Sequence, residues 1–169
     1  MNHWLVRLLK HRRLDETDAA RLLGDGALKR IEARVAASEA QHSGEIRVCI
    51  EAGLPLSYIR RGAPARERAV MMFGKLRVWD TEHNNGVLIY LLLAEHAIEI
   101  VADRGVARHV DAAHWQRIAA SMGDAFKSGQ FEAGLSQAID AVDALLVQHF
   151  ALAEGEANPN ELPDAPYVR

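Results

Sequence analysis

The run Val87-Leu88-Ile89-Tyr90-Leu91-Leu92-Leu93-Ala94 constrains this chain more than any other feature. It is less than half the ~20 residues a membrane helix needs, and it lacks the alternation of a strand with one wet face. Preceded by the turn signal Asn84-Asn85-Gly86, it predicts a central strand covered by helices on both sides. The fold must therefore supply at least two helical layers.

The flanking segments provide them. Glu45 to Glu51 alternates Ile46, Val48 and Ile50 with charged residues, which predicts a first strand with one better-buried face. Pro64 opens a helix with Ala69, Met72, Phe73 and Leu76 on one side, which can cross over the sheet. Strand, crossover helix and strand make a parallel, right-handed unit. Ala94-Glu95-His96 then leads into Ile98 to Ala102 as an antiparallel hairpin, with Val87 expected opposite Asp103.

Helices are expected before and after this core. Asp15 with Asp18 marks one start, and Gly24-Asp25-Gly26 ends that turn and offers Asp25 as the next N-cap. The helix that follows buries Leu28, Ile31 and Val35, runs to about Gln41 and stops at Gly44. Asp111 caps a helix with Trp115, Ile118, Ala119, Met122 and Phe126 on one stripe. After Ser128-Gly129 a last helix carries Leu135, Ala138, Ile139, Val142, Leu146 and His149.

Three regions follow: an amphipathic basic segment over 1–14, an α/β domain over 15–150, and a flexible tail over 151–169 that has little apolar content and three prolines. The fold class is a three-layer α/β/α sandwich with a short mixed sheet. With 169 residues, the chain can bury a sizeable core without disulfides or structural metal.

Charge and cysteine content narrow the function. A net charge of -3 gives no global attraction to nucleic acid. Cys49, the only cysteine, lies in an apolar stretch and reads as a buried, inert thiol. The N-terminus, MNHWLVRLLKHRRL, is basic but too short in apolar residues for a signal peptide, so the expected location is cytoplasmic. The same segment suits a helix docked on the core or, alternatively, one peripheral to a membrane surface.

The polar residues worth pursuing cluster at one sheet edge. The hairpin places Asp103 beside the Asn84-Asn85-Gly86 loop, and the loop from Asp80 leads to the same edge. Asp80, Glu82, Asn84, Asn85 and Asp103 are oxygen donors suited to a hard cation such as Ca²⁺, with Glu45, Arg104 and Asp111 at the rim. These are also the residue types that turns demand, and both readings stay open. Arg60, Arg61, Arg66 and Arg68 could hold a phosphate or an acidic partner, or form a solvated face. His109 and His114 are five apart and share no helix face. No zinc-protease, phosphate-loop or nucleophile-elbow pattern is present.

Taken together, Ser43-Gly44-Glu45-Ile46-Arg47-Val48, Phe73, Leu76, Thr81, Asn85-Gly86-Val87-Leu88-Ile89-Tyr90, Asp103-Arg104-Gly105-Val106, Trp115, Met122, Phe126 and Gly134-Leu135 resemble the TPM-domain family, in particular its compact bacterial branch. The family is named partly for a thylakoid-lumen acid phosphatase and a photosystem II repair protein. The resemblance spans roughly residues 15–150. It implies an α/β/α sandwich, a divalent-metal site at the loop edges, usually calcium, and in some plant relatives acid phosphatase activity. It also implies, for bacterial relatives, a location outside the cytoplasm or at a membrane, and genes beside those of LemA-type membrane proteins.

Asn84 stands where compact relatives often carry Arg, and Ala102-Asp103-Arg104-Gly105-Val106 replaces the Gly-Tyr-Gly-Leu-Glu of longer relatives. Three functions stay open: an accessory module that binds a divalent metal and engages a membrane-associated partner, a metal-dependent acid phosphatase acting on phosphomonoesters, and a non-catalytic structural scaffold.

Overall fold

The computed structural model describes residues 3–169, and at 3, 16 and 20 the backbone alone. At its centre, β1 (Glu45–Glu51) and β2 (Gly86–Leu92) pair in parallel along their full length, from Glu45 opposite Gly86 to Glu51 opposite Leu92. The connection contains α4 (Leu56–Arg60), which was not expected, and α5 (Ala65–Lys75), which begins one residue after Pro64. Every residue of β2 is buried, as its apolar run requires.

β3 (Ala97–Ala102) returns antiparallel to β2. Val87 faces Ala102 rather than Asp103. The loop explains the one-residue correction: a 3-10 turn over Leu93–Glu95 and His96 at φ 50° make a four-residue connection, and β3 starts at Ala97. A slip of one residue changes faces, so Asp103 lies opposite Gly86, and its N–H donates to the Gly86 carbonyl at 2.9 Å.

One layer of helices packs on the face that carries Ile46, Val48, Ile50, Val87, Ile89 and Leu91. It comprises α2 (Glu16–Leu23) and α3 (Ala27–Glu39), then α7 (Ala112–Ser121), α8 (Gly123–Lys127) and the long α9 (Phe131–Phe150). The expected single stripe from Trp115 to Phe126 is split at Met122, just before the weak helix former Gly123. Asp111 caps α7, accepting from the His114 N–H at 2.6 Å. The Asp15 side chain accepts the Thr17 and Asp18 N–H groups. Asp25 caps nothing; Gly26, at φ 70°, holds the position before α3.

The other face meets α5, α4 and α1 (His3–Arg12), with Cys49, Leu88, Tyr90 and Leu92 between them. This face of β1 carries charges, and Glu45, Arg47 and Glu51 are all buried. Glu51 receives the Arg68 guanidinium through two hydrogen bonds and the Tyr90 hydroxyl at 2.7 Å. The basic cluster expected around residue 60 is thereby divided. Arg68 is in the core, Arg61 pairs with Glu67, and Arg66 donates to the Ile100 carbonyl.

The tail does not lie free. Tyr167–Val168, β4, pairs in parallel with Cys49 and Ile50, giving the sheet order β3-β2-β1-β4. Leu162 is buried, and Arg47 donates to the Pro163 and Ala165 carbonyls. Backbone hydrogen bonds fasten this segment where apolar content alone predicted nothing.

Breaking a buried ion pair costs more than replacing it whole, because a lone buried charge remains. Arg68→Met should lower stability by about 3 to 5 kcal/mol, and Glu51→Leu added to it should recover much of that loss. Urea denaturation of both variants checks this. Equal stability of the single variant and the native chain would contradict it.

Candidate functional site

Two loops meet at the end of the central strand because two glycines allow it. A Cβ on Gly86 would collide with the Val78 carbonyl, and one on Gly105 with the Asn84 and His83 carbonyls. Asn84, at φ 52°, directs its own carbonyl to the Gly105 N–H at 2.9 Å. Its side-chain oxygen accepts from Arg104 Nε at 2.8 Å. Asp103 sits at the N-cap of the short α6 (Arg104–Ala107), with Oδ1 accepting from the Arg104 N–H at 2.7 Å.

Asn84, Asn85, Asp103 and Arg104 are therefore brought together around Gly86. Asn85 is fully buried and donates to the Ser43 carbonyl at 2.8 Å, while its N–H reaches Thr81 Oγ1 at 3.1 Å. Asp80 and Glu82 have other engagements: Asp80 pairs with Arg77 at 2.5 Å, and exposed Glu82 offers its N–H to Glu161. Asp111 serves as the α7 cap. Among the described residues, no group of three or more His, Cys, Asp or Glu side chains is placed to hold a metal ion.

At the Gly86 junction Asn85 Oδ1 and Asp103 Oδ2 are buried without a hydrogen-bond partner, as is Oε1 of Glu45 on the paired strand. Buried acceptors are satisfied in the great majority of cases, so each such atom calls for a ligand or a structural cause.

Glu45 belongs to a second assembly. Its carboxylate accepts from the Leu162 N–H at 3.0 Å. Beside it, Glu39 accepts from the Ile46 N–H at 2.7 Å, and Asp164 joins from the tail. Burial first, and the neighbouring Glu45 and Asp164 carboxyls after it, push the Glu39 carboxyl up to about 9. Burial likewise raises Glu45. At about 9, the Glu39 carboxyl holds a proton at neutral pH. Glu39, five residues before Gly44, carries no local sequence signal that sets it apart from a solvated helix residue.

Ser38, His42 and Asp143 also meet. Ser38 Oγ donates to Asp143 at 2.6 Å and lies 3.0 Å from His42 Nε2, while His42 Nδ1 faces the Gly44 carbonyl at 3.0 Å. In a nucleophilic triad the acid orients the imidazole from Nδ1. Here the aspartate lies on the Nε2 side, and Ser38 and His42 are both buried. The trio ties α3 to α9. Cys49 is buried as expected, and burial drives its thiol pKa up, away from reactivity.

The larger of the cavities described, about 520 Å³, opens along the outer edge of β3 between Arg66, Ile98, Ile100 and Trp115. None of the expected metal-binding residues lines it.

Comparison with known proteins agrees with this architecture. The model of the TPM domain matches residues 17–145. The solution structure of BA42 from the psychrophilic bacterium Bizionia argentinensis superposes with a TM-score of 0.72 at 27% identity, over 86% of this chain and 94% of that one. The N-terminal domain of a protein from P. gingivalis superposes with a TM-score of 0.62 at 20% identity, over 84% of this chain and 96% of that one. No functionally curated protein matches the chain.

Because the folded state raises the Glu39 pKa, its contribution favours folding at low pH and is lost as pH climbs from the unfolded value near 4.5 through about 9. Glu39→Gln removes this dependence. Across that window the native chain should lose up to about 1.4 kcal/mol per pH unit relative to the variant. Urea midpoints measured from about pH 5 to about pH 9 check the sign. Parallel curves would show that Glu39 ionises freely.

Proposed function

This chain belongs to the TPM-domain family, and from that premise we propose that it is an accessory binding module whose Gly86 edge holds a divalent cation, Ca²⁺ in the first instance. The observation that carries the reading is the pair of buried oxygens without hydrogen donors, Asn85 Oδ1 and Asp103 Oδ2, at a junction rich in backbone carbonyls. A hard cation takes such oxygens together with water. Asp103 and Asn85 are the principal ligands in this reading. Asp80 and Glu82 are outer carboxylates that raise the local cation concentration, and Arg104 moderates affinity by placing a positive charge beside Asn84.

A membrane-associated partner of the LemA type belongs to the same proposal and is supported by family membership alone. For the described residues, no helix is long and apolar enough to cross a membrane. Acid phosphatase activity is the second reading. It requires a nucleophile or activated water beside a proton acceptor, and the trio at Ser38 does not have that geometry.

Calorimetric titration should show one Ca²⁺ site. Asp103→Asn keeps an N-cap of equal quality while removing the charge, so the fold should persist and affinity fall about tenfold or more, roughly 1.4 kcal/mol. Neither heat nor thermal shift with Ca²⁺ or Mg²⁺ would overturn the cation. Turnover of an aryl phosphate by the native chain, abolished in the variant, would favour the enzyme.

A further inference from the structure

Helix α1 is built inside out. A helix lying on a core ordinarily turns its apolar stripe inward and its polar residues to water. The inner face of α1 is held mainly by polar bonds. Arg7 donates to Glu95 at 2.6 Å and to the Ala63 carbonyl at 2.7 Å, and His11 accepts the Leu54 N–H at Nδ1 and meets Glu95 through Nε2 at 2.9 Å. Only Leu8 joins the apolar packing from this side.

The outer face carries Leu5, Val6 and Leu9, exposed by 39%, 49% and 60%, and Trp4, near the start of the helix and one turn before Arg7 and Leu8, is 43% exposed. Leu56, on the neighbouring α4, is exposed as well. Their exposure costs hydrophobic free energy that a polar helix surface would avoid.

Cations surround them. Lys10, Arg12, Arg13 and Arg60 are exposed and form no ion pair among the described residues, and Arg61 is balanced by Glu67. Residues 3–13 contain no acid, although the whole chain is acidic at -3. The basic character is therefore concentrated at one pole. The surface is a convex helix rather than a groove, and neither cavity described touches it. Apolar side chains interleaved with long cationic ones on a convex face match a lipid interface, where the former enter the acyl boundary and the latter reach headgroup phosphates.

We propose that the outward face of α1, with Leu56 and Arg60 of α4 beside it, docks on an anionic lipid bilayer. This deepens the membrane side of the function proposed above without drawing on the cation site. The vesicle assay is run in EDTA, so vesicle binding and cation binding can fail separately.

The full chain is sedimented with vesicles of phosphatidylcholine alone, or of phosphatidylcholine mixed with phosphatidylglycerol. It should pellet with the mixed vesicles, remain in solution with the neutral ones, and be released by high salt. Lys10→Gln with Arg12→Gln and Arg13→Gln should weaken partition about a hundredfold. Leu5→Gln with Leu9→Gln should abolish it while leaving the far-ultraviolet circular dichroism and the thermal midpoint in place, because both side chains are exposed. No pelleting with mixed vesicles, equal pelleting with neutral ones, or undiminished binding by the leucine variant would each overturn the proposal. So would a dimer in lipid-free solution that the leucine variant dissolves, since the patch would then be covered by a second copy.

Discussion

Most of this structure follows from one constraint: β1 carries charges on a face that is buried. Glu45, Arg47 and Glu51 alternate with Ile46, Val48 and Ile50, and all of them are covered. A buried charge is tolerable only when paired or well hydrogen-bonded. Each therefore dictates a neighbour. Glu51 requires Arg68 and so fixes the crossover helix α5 over the sheet. Arg47 requires the Pro163 and Ala165 carbonyls, and Glu45 the Leu162 N–H. The last two needs draw the C-terminal segment along the open side of β1, where β4 then pairs and removes an exposed edge.

The sheet was legible in the residues because its signals are local. Continuous apolarity from Val87, alternation from Glu45, and the Asn85-Gly86 turn each specify a strand or its end without reference to the rest of the molecule. The burial of the charged face was not legible, because Glu45, Arg47 and Glu51 read equally well as the wet side of a two-faced strand. The tail was missed for a related reason. Its contribution is backbone pairing and carbonyl acceptance, and periodicity and apolar content carry no trace of either.

At the Gly86 edge the register of the hairpin does more than position a residue. The one-residue shift moves Asp103 to the Gly86 pair and frees its side chain to cap α6, leaving one carboxylate oxygen for other use. Gly105 lets the second loop approach the Asn84 carbonyl closely enough to lock both loops. The glycines were readable as turn residues. That they work as a pair, each making room for a backbone carbonyl of the loop nearby, depends on the packing of segments far apart in the chain.

The tail also joins this edge to the rest of β1. Glu161 receives the Glu82 N–H, the next residue donates to Glu45, and Asp164 lies against Glu39. The loop before Gly86 and the buried carboxyls of Glu39 and Glu45 therefore share one strap. Charge added or removed at either place is felt by the same few backbone bonds. The matched domain ends at residue 145, so this strap is an extension of this chain beyond the matched domain, and the domain's sheet edge is its anchor. Straps of this kind are held by several weak polar bonds instead of a packed core, which places them among the first elements to open.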